Sequence, residues 1–212
     1  MHVFGYGSLT FSPALPDALI GVRLGRVPGL ARAFNKRSRS RSAPADACFD
    51  APDPPRGWTL GGRRVSITLG TTEGDGLHGF VATYRAGVEA ALIPLLDARE
   101  GWAHDDPDSG YLPRDVEVDV DGSIVVARAY LTNPDASWTL RPPPSPEEIA
   151  RILIHSTPRV AVGGPRAPGL EYLEGTRGSL RDAGVLDPHL EAVARAVRAV
   201  PGPWTQRVAP VR

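Results

Sequence analysis

The chain has 212 residues, which suffices for one domain with a full hydrophobic core and barely for two. Its 24 basic and 24 acidic residues give a formal net charge of zero, which argues against a protein dedicated to nucleic acid or to a membrane surface. A single cysteine, no apolar run near the ~20 residues that span a bilayer, and no signal-peptide pattern at the start predict a cytoplasmic protein without a disulfide framework.

The first predicted element is a short strand at Val3-Phe4, which runs into the loop Gly5-Tyr6-Gly7-Ser8-Leu9. Glycine adopts backbone conformations that other residues avoid, and it lets a ligand approach the main chain closely. The amides of Gly7, Ser8 and Leu9 are then free donors at the end of the strand, and such a nest suits a carboxylate or a phosphate. The alternative is an ordinary turn after an N-terminal strand.

Short strands dominate the first two thirds of the chain. We predict a second strand over residues 27–34, and period-two alternation predicts further strands at residues 65–69 and 77–84. Residues 35–42 are polar and basic. Residues 43–62 carry four prolines and little periodicity, so that stretch is predicted to be a long loop.

Residues 88–100 have the clearest helical pattern in this part of the chain, because their apolar residues recur at the spacing of one buried helix face. That stripe consists of Val88, Leu92, Leu95 and Leu96. Pro94 predicts a kink or a late helix start, and Gly101 predicts the end of the helix.

A β-hairpin is predicted next. Valines alternate with acidic residues over residues 116–120, Asp121-Gly122 is a strong turn signal, and residues 124–131 form the returning strand. Together these elements give about six strands around one helix, which is enough to close or nearly close a small barrel.

In the last third of the chain, the predicted elements are helices, and they follow a stiff, proline-rich connection at residues 141–144. Ser145 and Glu148 predict a helix that begins with a capping box. A weaker helix is predicted over residues 170–183, and Asp187-Pro188 begins the final helix.

These helices are too short to be stable alone, so we expect them to pack on the barrel as part of one domain. The predicted organisation is therefore a single domain over residues 1–212. It contains a barrel with one central helix at residues 1–140, followed by the proline-rich connection and the C-terminal helices at residues 141–212.

Glu100 is a candidate for a chemical role. It lies in the last turn of the predicted helix, at the edge of the face that Leu92 and Leu96 bury. Partial burial and the negative end of the helix dipole both disfavour a charged carboxylate there, so a raised pKa is expected. A raised pKa suits a general base and acid near neutral pH. The alternative is a surface glutamate at a frayed helix end, paired with Arg99 or another cation.

Several segments resemble motifs of the gamma-glutamylcyclotransferase superfamily, which includes the ChaC-type, glutathione-directed branch. Residues 4–9 resemble its Y-G-S-L signature, residues 96–101 the segment with its catalytic glutamate, and residues 129–133 its Y-L-x-N strand end. Residues 170–173 and 186–190 resemble its C-terminal helices. The matches span most of the chain in the family's order, which makes them more specific together than any one alone.

The resemblance implies an α+β fold, a small mixed and mostly antiparallel β-barrel with surrounding helices. It also implies an enzyme without a metal or other cofactor that acts on a small-molecule gamma-glutamyl substrate. The substrate's own α-amine attacks its γ-carbonyl and releases 5-oxoproline and an amine or peptide. Glu100 takes the proton of the attacking ammonium and returns it to the leaving nitrogen. In keeping with this, the sequence has no metal-ligand cluster, no Walker loop and no Gly-x-Ser-x-Gly motif.

The resemblance further implies that the loop after the first strand binds the substrate, with Tyr6, Gly7, Ser8 and Leu9 as its members. Its main-chain amides hold either the α-carboxylate or the developing oxyanion. Ser8 is not a predicted nucleophile, because no histidine stands in a motif that would activate it.

Two further tyrosines are candidate substrate contacts. Tyr111 resembles the aromatic residue that follows the catalytic glutamate in the superfamily, although Trp102 competes for that role. Tyr130 resembles a tyrosine that lines the pocket, and the alternative is a core tyrosine with a satisfied hydroxyl.

The basic run at residues 36–41 supports a rival hypothesis, a phosphate-binding patch for nucleic acid. The zero net charge, the lack of interleaved aromatics and the lack of a recognisable binding fold oppose it, so no nucleic-acid or membrane partner is predicted. A solvated loop or a cationic rim for a substrate carboxylate is favoured instead. This run and the insertion at 43–62 depart from ChaC-type sequences. This departure leaves the leaving group open. The oligomeric state and a non-catalytic carboxylate-binding role are open as well.

Overall fold

The structure, a computed structural model, describes residues 1–51, 57–164 and 166–208. The described residues form eight strands, namely β1 (His2–Gly5), β2 (Leu19–Val27), β3 (Leu30–Pro44), β4 (Thr59–Leu60), β5 (Arg63–Glu73), β6 (Leu77–Tyr84), β7 (Tyr111–Val120) and β8 (Ser123–Thr132). They also form four α-helices, namely α1 (Glu89–Glu100), α2 (Pro146–His155), α3 (Leu170–Asp182) and α4 (Pro188–Ala199).

The chain divides into two compact units. The first comprises Met1–Ala33 and Leu69–Thr139, and the second comprises Phe34–Thr68 and Leu140–Arg212. The boundaries between the units fall inside β3 and β5. The organisation as a single domain stays a prediction.

Five strands of the first unit close a barrel in the order β1, β6, β2, β7 and β8. The pairs β1–β6, β6–β2, β2–β7 and β7–β8 are antiparallel, and the parallel pair β1–β8 closes the barrel where Val3 lies opposite Arg128. The predicted α+β fold with a small, mixed and mostly antiparallel barrel is confirmed. The expectation of about six strands around one helix is corrected, because five strands close the barrel and β3, β5 and β4 form a separate sheet.

Alternate residues of the barrel strands fill its interior. Phe4, Val81 and Val118 are buried in one cluster, as the period-two alternation of the strands requires. Gly25 marks how tightly this interior is packed, since a Cβ atom added there would lie 2.6 Å from Cγ1 of Val118.

Helix α1 covers an outer face of the same barrel. Leu92 and Leu96 are fully buried in a cluster with Val3 of β1 and Tyr130 of β8. The predicted stripe is correct for these leucines, but Leu95 is wrong, since about half of its side chain is exposed (51%). Gly101 ends the helix as predicted, in the left-handed region with φ of 69°.

The turns explain one error and one success. The predicted hairpin is confirmed, with Asp121 and Gly122 both at positive φ and β7 and β8 paired along their whole length. The predicted strand over 27–34 is correct for residues 30–34, which begin β3, but wrong at its start, because Gly29 at φ of 74° makes a turn between β2 and β3. Strand β2 is not among the predicted strands, because the glycines within it weaken the sequence pattern of a strand. Its antiparallel pairing with β6 stabilises it in the structure.

The basic stretch at residues 35–42 is not the predicted loop but the middle of β3. Arg41 is largely buried, with its guanidinium over the ring of Tyr172 and a hydrogen bond to the carbonyl of Ala167. The guanidinium of Arg37 lies 5.2 Å from the ring centre of Trp58. Arginine stems pack well against aromatic rings, and hydropathy patterns do not record this.

Part of the predicted long loop at 43–62 lies outside the described residues. The rest contains a short 3-10 helix, Ala45–Ala47, and the short strand β4, so it is not loop throughout.

The helices of the second unit begin as the sequence predicts. Ser145 and Glu148 form the capping box of α2, and the Asp187 carboxylate accepts hydrogen bonds from the first turn of α4. An ionic cluster links α3 to α4, because Glu191 accepts hydrogen bonds from both Arg177 and Arg181. Among the described residues, no helix combines the length and the apolar character needed to cross a membrane.

Candidate active site

The loop after β1 folds back tightly on itself. A Cβ atom at Gly5 would lie 2.4 Å from Cβ of Leu9, so only glycine fits at that position. Residues Ser8–Thr10 form a 3-10 turn, and the amide and hydroxyl of Thr10 both donate to the carbonyl of Gly7. The amides of Ser8 and Leu9 stand in the first turn, where a helix offers no acceptor of its own.

Tyr6 anchors this loop to the barrel. Its side chain is buried, and its hydroxyl donates to the carbonyl of Tyr130 at 2.6 Å. Its own carbonyl accepts a hydrogen bond from Nε of the buried Arg32 at 3.0 Å. Both contacts hold the backbone just before Gly7, so the loop begins from a fixed point.

Glu100 is the last residue of α1, and its side chain is only 17% exposed. Its Oε1 lies 3.6 Å from Nε of Arg99. Glu100 thus has one feature from each of its two interpretations: its carboxylate is mostly buried, and it also pairs with Arg99. Its assignment as the catalytic base stays a prediction.

Arg99 joins the loop to the end of α1. One end of its guanidinium donates to the carbonyl of Ser12 at 2.6 Å, and the other donates to Oγ of Ser8 at 3.1 Å. The sequence pattern indicates Arg99 only as a partner for Glu100. The one signal for a larger role was its position beside Glu100 in the motif Leu-Asp-Ala-Arg-Glu-Gly.

Tyr130 lies in a small polar network that the sequence did not reveal. Its hydroxyl donates to the carboxylate of Asp97 and accepts from Nε of Arg128 at 3.2 Å. Arg128 also lies 3.3 Å from the same Asp97 oxygen. Burial and the bond to Asp97 raise the pKa of the Tyr130 hydroxyl well above its usual value, so it stays a neutral donor.

Tyr111 is buried, and its hydroxyl donates to the carbonyl of Leu69 at 2.6 Å. The competing aromatic, Trp102, is partly buried against the same cluster and stacks on His104 with ring centres 6.0 Å apart. The two aromatics thus pack into one region, and the structure favours neither for substrate contact.

One apolar cluster brings together three of the predicted site residues. It contains Tyr111 and Tyr130, the buried face of α1 that ends at Glu100, and, at its edge, Leu9 of the loop. In the described part of the chain, no group of three His, Cys, Asp or Glu side chains is arranged to hold a metal ion. The site can therefore be described as a main-chain donor loop, a mostly buried carboxylate and aromatic walls, and its residue roles remain predictions.

Comparison with solved structures identifies the fold. Two crystal structures of a yeast gamma-glutamyl cyclotransferase specific to glutathione superpose on nearly the whole chain. One, labelled with selenomethionine, has a TM-score of 0.66 and 16% identity, with coverage of 94% of this chain and 96% of that chain. The other has a TM-score of 0.63 and 17% identity, with coverage of 94% and 98%. No protein-family model and no curated protein matches the sequence.

Proposed function

Because this chain has the gamma-glutamylcyclotransferase fold, we propose that it cyclises a gamma-glutamyl amide or peptide to 5-oxoproline and releases the amine. The observation that supports this most is the contact of Arg99 with both Ser8 and Glu100. Ser8 and Arg99 are 91 positions apart in the sequence. Their contact brings the predicted substrate loop next to the predicted base, Glu100. A cytoplasmic location, predicted from the sequence, belongs to the same proposal.

The reaction needs little beyond positioning and proton movement. A bond forms between the α-nitrogen and the γ-carbon of the substrate, and the bond from that carbon to the leaving nitrogen breaks. The attacking group is an ammonium at neutral pH, so a base must remove a proton before attack, and the same proton can go to the leaving nitrogen. The attacking nitrogen loses a second proton as the lactam forms, and the released amine takes up one proton to become an ammonium. Ring closure is intramolecular, so orientation supplies much of the rate.

In this proposal Glu100 is the general base and then the general acid. The amides of Gly7, Ser8 and Leu9 hold the α-carboxylate or the oxyanion, and such donors are most effective when they are fixed in advance. The anchoring of Tyr6 at both its hydroxyl and its carbonyl supports a fixed loop. Tyr111 and Tyr130 are proposed to form the walls of the site.

The leaving group is the open part of the proposal. The yeast neighbours are specific to glutathione, and we propose glutathione, gamma-glutamyl amino acids and gamma-glutamyl amines as the substrate class for this chain. The basic run at 36–41 and the insertion at 43–62 depart from ChaC-type sequences, which is why the leaving group stays open.

The direct test is to incubate the purified protein with this substrate panel and quantify 5-oxoproline. Glu100→Gln should lower kcat by roughly 100- to 10,000-fold, the range that general acid–base catalysis contributes. Glu89→Gln is the matched control, because Glu89 lies at the other end of α1 with a side chain 46% exposed, and it should keep full activity.

Two outcomes would contradict the proposal. Full activity in Glu100→Gln would remove Glu100 from the mechanism. Calorimetric binding of gamma-glutamyl compounds without any product would favour the alternative, a non-catalytic binder of small carboxylates. The nucleic-acid hypothesis, which relies on residues 36–41, stays an alternative; within that run, Arg41 is buried against the ring of Tyr172 and is not available to a phosphate.

A further inference from the structure

We propose that Arg99 is a positioning residue, which sets the placement of the donor loop at residues 7–9 relative to the carboxylate of Glu100. This inference rests on the proposed cyclisation. It assigns a task to a side chain that neither the motif resemblance nor the role of Glu100 explains.

The geometry of Arg99 supports this role. Its Nη1 donates to the carbonyl of Ser12 at 2.6 Å, and its Nη2 donates to Oγ of Ser8 at 3.1 Å. Its Nε lies 3.6 Å from the carboxylate of Glu100. A single planar group therefore contacts the start of the 3-10 turn, the chain after it, and the proposed base.

The contacts of Arg99 are largely shielded from water. Ser8 is only 6% exposed, and the side chains of Arg99 and Glu100 are 15% and 17% exposed. Water competes poorly for hydrogen bonds in such a place, so the contacts hold the loop in one position. Hydrogen bonds from a charged donor are also stronger than those between neutral groups.

An arginine is needed for this arrangement. The guanidinium presents its donors in a rigid fork, so two bonds to the loop fix both the distance and the orientation of the group. A lysine ammonium is a single point charge on a flexible stem and cannot hold both acceptors in the same way. Arg99 and Glu100 are adjacent at the end of α1, so both side chains start from the same short piece of backbone. The bonds from Arg99 to Ser8 and Ser12 therefore set the distance between the loop and the carboxylate of Glu100.

The first experiment measures kcat and KM for 5-oxoproline formation in Arg99→Gln, Arg99→Lys and Ser8→Ala. A misplacement of about 1 Å costs roughly 100-fold in rate, so Arg99→Gln should lose about that factor in kcat. Arg99→Lys should recover only part of it. Arg85→Gln is the control, since Arg85 is an exposed arginine whose guanidinium also bonds a carbonyl, that of Asp17, and it should keep wild-type kinetics.

A double-mutant cycle tests whether Arg99 acts through the loop. If it does, Arg99→Gln combined with Ser8→Ala should lose little more kcat/KM than Arg99→Gln alone. Added guanidinium ion, well below denaturing concentration, should restore part of the activity of Arg99→Ala. Wild-type kcat in Arg99→Gln, or single losses that multiply in the double variant, would overturn the proposal.

A readout without catalysis separates this inference from the proposed function. If the wild-type protein forms no 5-oxoproline from any substrate, the proposed function fails. The amide resonances of Gly7 and Leu9 and the coupling of Arg99 to Ser8 in the free energy of unfolding still test the contact. Amide resonances that do not move in Arg99→Gln, together with zero coupling, would overturn it; shifted resonances and measurable coupling would support it.

Discussion

Tyr130→Phe tests whether the hydrogen bond from the Tyr130 hydroxyl to Asp97 has the strength of a bond to a charged group. The substitution removes the hydroxyl that donates to the mostly buried carboxylate of Asp97 and keeps the ring that packs against α1. A hydrogen bond to a charged group contributes about 1.5–3 kcal/mol, against about 0.5–1.5 kcal/mol for one between neutral groups.

The structure decides which of these magnitudes applies. Asp97 retains Arg128 at 3.3 Å after the substitution, so it does not become an unpaired buried charge, which would cost about 3–5 kcal/mol. The expected loss of unfolding free energy is therefore about 2 to 3 kcal/mol. Tyr84→Phe is the matched control, because Tyr84 is equally buried but donates to a neutral carbonyl, that of Ala14, and should lose about 1 kcal/mol.

The measurement is equilibrium unfolding in urea for the wild type and both variants, followed by tryptophan fluorescence. Equal losses in the two variants would refute the reasoning, because they would mean that the charge on Asp97 adds nothing to the bond. The activity of the folded Tyr130→Phe protein answers a second question. An unchanged kcat would identify Tyr130 as a core residue, and a reduced kcat would support its proposed contact with substrate.

Two further predictions concern stability. Burial opposes the charge of Glu191, but its hydrogen bonds to Arg177 and Arg181 outweigh this and lower the pKa of that carboxyl below its usual 4.5. Glu191→Gln should therefore cost about 1.5–3 kcal/mol in urea unfolding, because it removes the charged acceptor that Arg177 and Arg181 share, while Glu174 still pairs with the fully buried Arg177. The more exposed Glu174→Gln should cost only about 1 kcal/mol. A group with a depressed pKa stabilises the folded state above its unfolded pKa, so this contribution should fade as the pH falls below about 4.5 and through the folded pKa. A Glu191→Gln protein with the acid sensitivity of the wild type would contradict this assignment. Gly25→Ala should cost about 1–3 kcal/mol by overpacking the barrel, whereas Gly21→Ala, where an added Cβ meets nothing within 4 Å, should be near neutral. Similar unfolding free energies for the two alanine variants would show that the barrel interior yields easily.

The sequence by itself determined the elements whose causes are local. The Asp121-Gly122 turn, the capping box at Ser145 and the end of α1 at Gly101 each depend on a few consecutive residues, and the structure contains all three. The motif resemblance predicted the fold class for a different reason. Several motifs in a fixed order along the chain indicate a known fold, which a single short segment cannot do. It also selected Glu100, which the structure places in a mostly buried position.

Only the tertiary structure decided how these pieces meet. Barrel closure by β1 and β8 pairs residues more than a hundred positions apart, and no local pattern specifies that pairing. The basic run lies in a strand that pairs with β5, and aromatic rings from other segments cover two of its arginines, Arg37 and Arg41. In the candidate site, the tie from Arg99 to Ser8 and the bond from Tyr130 to Asp97 are likewise long-range contacts. A sequence specifies which side chains can form hydrogen bonds, but the partner of a buried donor is chosen only when folding excludes water and brings one acceptor within reach.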